Sequence, residues 1–241
     1  MKTFKGGYLV GLLLLAIGCL SFAGIRSKQR KISDIDIIFN GGDARFLSVD
    51  IVNKLLIQSH DSMFFQQKDM VALNKVEQQF IDQPVIKNAE LYTVPQGKLY
   101  IEIEERQPIV RIQAKKGFYL DDAGQKIPLS ERYTAKVPLF YGELKEENMH
   151  ALVQLISKFS SDAFLADEVI DYQWENNAFI IGLRSYPFEV VWGKNNAFDQ
   201  KVEKLKRFCA YVMENKDKTF NRINLTYANQ VVARHNEGYG K

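Results

Sequence analysis

The sequence predicts an α+β chain in which a single N-terminal transmembrane helix precedes two folded modules. The first is ordered β-α-α-β-β, and the second is a mixed α+β domain with an antiparallel sheet. Three observations predict it: a run of twenty uncharged residues near the start, a hairpin pattern that follows two amphipathic helical stretches, and short apolar strands that flank two further helical stripes beyond it.

Residues 6–25, GGYLVGLLLLAIGCLSFAGI, carry no charge. At about 1.5 Å per helical residue they span about 30 Å, the thickness of a bilayer's hydrocarbon core. A buried soluble helix of that length would show a polar face, and none occurs before Ser21. The run therefore reads as a membrane helix between a short cytoplasmic tail at 1–5 and a juxtamembrane linker at 26–31. Lys2 and Lys5 precede it and Arg26, Lys28, Arg30 and Lys31 follow it, a count that by itself places the C-terminal side in the cytoplasm. Two other readings stay open here. Ser21-Phe22-Ala23 has the form of a signal-peptide cleavage site, and Ala16-Ile17-Gly18-Cys19 is a loose match to a lipoprotein signal. Against both, the apolar run continues past Cys19 to Ile25, longer than a signal core of about 7 to 15 residues.

The chain has a net charge of +3, yet residues 1–31 hold six basic and no acidic side chains. The remainder carries 26 basic against 29 acidic residues, a mildly acidic surface without the basic field that nucleic-acid binding needs. The cluster at 26–31 reads as a stop at the lipid headgroups. Cys19 lies inside the apolar run and Cys209 in a helical stretch, so there is no disulfide framework and no cysteine metal site.

Past the linker, Ile32 to Phe39 is rich in isoleucine and reads as a strand ending at Asn40-Gly41-Gly42. Ser48 caps a helix from Val49, with Ile51, Leu55 and Leu56 as its buried stripe. A second helix starts near Asp69 and repeats Met70, Leu73, Val76 and Phe80, and Pro84 ends it. Ile86 to Val94 and Leu99 to Glu105 then flank the turn Pro95-Gln96-Gly97-Lys98, where proline presets φ and glycine accepts an open geometry. In the return strand Leu99, Ile101 and Ile103 face a core, while Tyr100, Glu102 and Glu104 face water.

Two stretches here, Gln83-Pro84-Val85-Ile86-Lys87-Asn88-Ala89-Glu90-Leu91 and Val94-Pro95-Gln96-Gly97-Lys98-Leu99 through Glu104-Glu105-Arg106-Gln107-Pro108-Ile109-Val110, carry a resemblance. They resemble the POTRA signature of the FtsQ/DivIB cell-division family, with its proline, alanine, hairpin and Glu-Arg-x-Pro elements in register. The resemblance implies a POTRA domain at 32–108 and a distal β domain at 109–236, with a tail at 237–241. Phe118-Tyr119-Leu120-Asp121-Asp122-Ala123-Gly124-Gln125 is similar to the family's strand and D-x-x-G turn, and Val137-Pro138-Leu139-Phe140-Tyr141-Gly142 to its L-P-x-x-x-G stretch. A helix follows with Met149, Leu152, Val153, Ile156 and Phe159 on one face, then strand-like runs at 169–175, 179–183 and 188–192. Trp192-Gly193-Lys194 precedes a last helix, about 197–214, which buries Val202, Leu205, Phe208, Cys209 and Val212. That helix turns Lys201, Lys204, Lys206 and Arg207 to water, with Glu203 and Arg207 as an i,i+4 pair. Arg222 to His235 resembles the closing hairpin, with Asn224 and Thr226 where the family commonly has Asp and Arg.

No catalytic constellation is legible. His60, His150 and His235 are scattered, Asp121-Asp122 reads as a turn former, and Glu102, Glu104 and Glu105 read as the solvated face of a strand. No nucleophile elbow, phosphate loop or dinucleotide fingerprint occurs. The expectation is a non-enzymatic protein with no cofactor, metal, nucleic acid or small-molecule substrate. Contact is the alternative to chemistry, because a strand that ends a sheet leaves a row of main-chain groups open to an added strand. Residues 230–235 are that candidate. The resemblance implies a bitopic scaffold at the division septum, in the inner membrane with its C-terminal domains outside the cytoplasm. It further implies docking of FtsB and FtsL type proteins along this edge, by position through Tyr227, Asn229, Val231, Ala233 and His235. The rival reading is an exported or lipidated POTRA-containing protein of outer-membrane assembly.

Overall fold

The computed structural model describes residues 10–21, 32, 34–41, 45–58, 70–95, 97–194 and 196–235. The tails at 1–5 and 237–241, both ends of the run at 6–25, the linker at 26–31, and Gly42, His60, Asp69 and Gln96 lie outside them. Residues 10–21 form a helix, α1, in which every residue is exposed. Among the described residues no helix is long and apolar enough to cross a membrane. The chain divides into two compact units, Met1–Glu105 and Arg106–Lys241.

The first unit runs β1 (Asp34–Asn40), α2 (Val49–Gln58), α3 (Met70–Ile81), β2 (Ile86–Thr93) and β3 (Lys98–Glu105). The sheet order is β1-β3-β2, with β1 parallel and β2 antiparallel to the central β3. A parallel pair needs a crossover, and the two helices supply it. The Ser48 hydroxyl accepts from the Ile51 N–H at 3.4 Å, which meets one open donor of α2's first turn. The buried stripe of α2 is rotated by one position from the expected Ile51, Leu55 and Leu56: Val52 and Leu56 are the buried pair, and Ile51 and Leu55 are only partly covered. Leu73, Val76 and Phe80 pack from α3 onto Leu99, Ile101 and Ile103, so the alternation in β3 holds.

Glu105 departs from the expected solvated face, because it is 6% exposed. Its carboxylate accepts the main-chain N–H groups of Arg45, Phe46 and Leu47 at 2.9, 3.1 and 2.6 Å. A buried carboxylate with three backbone donors is satisfied without a cation, which is how it stays out of water.

The second unit runs β4 (Val110–Gln113), β5 (Phe118–Leu120), β6 (Lys126–Pro128), β7 (Leu139–Tyr141), α4 (Glu146–Ser161), α5 (Ala163–Glu168), β8 (Val169–Glu175), β9 (Ala178–Leu183), β10 (Glu189–Gly193), α6 (Phe198–Glu214), β11 (Phe220–Asn224) and β12 (Val232–His235). These strands form one sheet in the order β12-β11-β10-β9-β8-β7-β4-β5-β6. It is not the antiparallel sheet the sequence led us to expect: β4–β7, β7–β8 and β10–β11 are parallel. Each parallel join has a crossover behind it, the β5–β6 hairpin for the first, α4 and α5 for the second, and α6 for the third. Between β8 and β9, Asn176 and Asn177 have φ of 50° and 62°, the left-handed pair that a two-residue hairpin turn requires. One core joins Leu152, Leu155, Ile156 and Phe159 of α4 and Val202, Leu205 and Cys209 of α6 to Phe140, Tyr172, Ile181, Trp192 and Ile223 of the sheet.

Asp121, expected only to form a turn, is 1% exposed. One carboxylate oxygen accepts from the N–H groups of Ala123 and Gln125 at 3.0 and 2.7 Å, and the other pairs with the Arg106 guanidinium at 2.8 Å.

Candidate partner-binding edge

β12 lies at one end of the nine-stranded sheet, and its neighbour is β11, antiparallel, with Asn224 opposite Val232, Ile223 opposite Ala233 and Arg222 opposite Arg234. The register shifts between Phe220 and Arg222, so Phe220 falls opposite His235. Among the described residues no strand pairs with the other side of β12, which leaves a row of main-chain donors and acceptors facing outward.

The five predicted contact residues fall into three groups. Tyr227 and Asn229 lie in the bend before the strand and are exposed. Val231 and Ala233 are half-buried and pack on the core, so they offer an incoming chain their backbone and little side chain. His235 is exposed at the far end, with its ring 4.7 Å from the ring of Phe220. Val232 and Arg234 project on the opposite face from Ala233 and are exposed.

The bend itself is held by residues that sequence reasoning did not select. The Leu225 N–H donates to the Val191 carbonyl at 3.0 Å, and Leu225 is fully buried. The Asn224 side-chain oxygen accepts from the Thr226 N–H at 2.9 Å and from its hydroxyl at 2.7 Å, a local turn that short polar side chains make well. Asn224 and Thr226, the departures from the family pattern, thus pair with each other. Gly193 has φ of +78°, and a Cβ built on it would stand 2.6 Å from the Thr226 methyl, so both backbone and space require glycine there.

Lys201, expected in water, is 4% exposed. Its ammonium donates to the Lys194 carbonyl at 2.8 Å and the Asn196 side-chain oxygen at 2.9 Å, and sits 5.5 Å from the Trp192 ring centroid. Burial, and secondarily the charge of Lys204, push its pKa down from 10.5 to about 8. Between those values the unfolded chain holds the proton more firmly, so the part of folding stability owed to Lys201 rises with pH through that window. The stability of Lys201→Met relative to wild type, from urea unfolding, should therefore fall by about 2 kcal/mol between pH 7 and pH 10. A difference that stays constant with pH would rule this out.

Among the described residues no group of three or more His, Cys, Asp or Glu is placed to hold a metal ion. His150 is hydrogen-bonded to Gln154 at 2.8 Å on the surface of α4.

A family model described as FtsQ/DivIB, C-terminal related, matches residues 107–234, more than half of the chain. The chain belongs to the FtsQ/DivIB family. A second model, described as a POTRA-like domain, matches residues 33–104 and so covers the β-α-α-β-β unit. A curated relative, Cell division protein FtsQ of Rhodothermus marinus (strain ATCC 43812 / DSM 4252 / R-10), is 29% identical over 170 residues. The match takes in 63% of this chain and spans 61% of the length of that relative. In this FtsQ/DivIB chain the edge strand β12 and its bend close the C-terminal matched region.

Proposed function

We propose that this FtsQ/DivIB chain is a cell-division protein that acts as a non-enzymatic, single-pass membrane scaffold. Residues 6–25 tether it to the plasma membrane, and its two folded units stand outside the cytoplasm at the division septum. There it captures FtsB and FtsL type partners by strand addition to β12. The observation that carries the reading is the outward row of main-chain groups on β12, beside a tyrosine that is 48% exposed. Strand addition draws its affinity from backbone hydrogen bonds, and an aromatic with a polar tip at the mouth of the edge supplies an anchor.

The tether rests on α1, whose leucines at 12, 13, 14, 15 and 20 are all more than half exposed, an arrangement that lipid satisfies and water does not. Confinement to a plane raises the effective concentration of partners anchored in the same membrane, so a modest edge suffices for assembly.

Two measurements test this. A reporter fused after Lys241 should be active outside the cytoplasm, and activity inside it would overturn the tether reading. Pull-down of an FtsB/FtsL type pair should succeed with the full chain and fall about tenfold in affinity with Tyr227→Ala, the range of an interface anchor. Retained capture after deletion of residues 230–241 would rule out β12 as the docking strand.

A further inference from the structure

We propose that Lys204 is a positioning residue for capture along β12, an inference that rests on the reading above. Its ammonium donates to the carbonyls of Leu225 at 3.0 Å and Tyr227 at 2.6 Å, bridging from α6 to the bend that separates β11 from β12. Two carbonyls converging on one half-buried cation are a clamp on main chain, and they set the direction in which the backbone leaves residue 227. Among the described residues no other side chain hydrogen-bonds to the segment 227–231. The first half of the bend is held by the Asn224–Thr226 pair and by Leu225 on β10, and Lys204 carries the restraint two residues further, to the tyrosine.

The neighbouring lysine does the same job on the other side. Lys201, one helical turn earlier on the same face, fastens Lys194 and Asn196 in the loop that enters α6. The two fastened loops meet where the Thr226 methyl lies over Gly193. α6 thus uses successive lysines to hold both loops next to the edge, and the segment with Tyr227 is delivered already ordered. An ordered edge loses less conformational entropy when a strand is added, so affinity falls when the clamp is cut even though no partner contact is removed.

The test uses the full chain carrying Lys204→Met, with Lys204→Arg as the rescue, and reads three quantities: capture of the FtsB/FtsL type pair, amide hydrogen exchange in 225–231, and the unfolding midpoint. Lys204→Met should weaken capture about tenfold and speed exchange in 225–231 by a similar factor, with the midpoint unchanged. Lys204→Arg should return both, since a guanidinium can donate to the same two carbonyls. Wild-type exchange in Lys204→Met overturns the proposal whether or not capture is seen, and so does a fall in the midpoint that Arg does not restore. If the wild-type chain captures nothing, the docking role of β12 falls, and with it the role of Lys204 in capture.

Discussion

Glu105→Ala is expected to lower the stability of the 1–105 unit by about 3 kcal/mol while leaving the 106–241 unit unchanged. The carboxylate at the end of β3 gathers the N–H groups of residues 45 to 47, and two of those residues, Phe46 and Leu47, are buried where water cannot replace it. Alanine removes an acceptor for three donors at once. The bonds are charge-assisted and span 58 to 60 residues of sequence, so their loss detaches the entry to α2 from the sheet. A unit of this size is marginally stable, and about 3 kcal/mol is a large share of it. Both tryptophans, Trp174 and Trp192, lie in the second unit, so their fluorescence follows that unit alone. Urea unfolding of Glu105→Ala should show circular dichroism starting to fall at lower urea, with the tryptophan transition in place. Glu105→Gln, which keeps an oxygen but not the charge, should fall between the two. A wild-type dichroism curve for the alanine variant would refute the latch.

The burial of Glu105 also marks where sequence reasoning stops. The alternation Leu99, Ile101, Ile103 states which face of β3 is apolar, because a strand's period is two and one face meets the helices. The same alternation puts Glu105 on the buried side, in phase with Ile103, and its charge overrode that signal. The donors that make burial tolerable lie about sixty residues away, and no local pattern announces them. Lys201 repeats the lesson: its helical phase beside Val202 and Leu205 allowed burial, but its acceptors, Lys194 and Asn196, belong to the preceding loop.

The β2–β3 hairpin and the runs that form β8, β9 and β10 were legible, whereas β4, β6 and β7 were not read as strands and the order of the nine-stranded sheet was not foreseen. The run at 169–175 coincides with β8 at both ends, since β-branched and aromatic residues there are bounded by Asn176-Asn177. Nothing in β7, three residues long, says that it lies between β4 and β8 and parallel to both. Parallel pairing is set by crossovers such as α4 and α5, and the short α5, capped by Asp162 on the Leu165 N–H, lacks the periodicity a longer helix displays. At the candidate edge, the last strand and Tyr227 came from the family resemblance and not from pattern, and β12 at Val232–His235 is shorter than the 230–235 expected. Neither source announced the Lys204 clamp, because its acceptors are main-chain carbonyls that every residue possesses.

Asp121→Ala should cost the second unit about 3 to 5 kcal/mol and shift the tryptophan transition that Glu105→Ala leaves alone. Three donors meet on this one buried carboxylate: two N–H groups that shape the turn through Gly124, whose φ is +75°, and a guanidinium that is itself mostly covered. Removing the carboxylate strands a cation in a place built for an ion pair, and breaking one half of a buried pair costs more than the pair contributes net. The turn matters as well, because it joins β5 to β6 at the sheet end away from β12, and the strands it joins are only three residues long. Asp121→Asn should recover part of the loss, since its amide oxygen can still accept from Ala123 and Gln125, while Arg106 loses its counter-charge. Asp121→Ala with Arg106→Met should be less destabilised than the sum of the two single changes, because no unpaired cation remains. Strict additivity in that cycle would mean that Arg106 and Asp121 act independently, and the ion pair would then contribute nothing to holding β5 and β6 in the sheet.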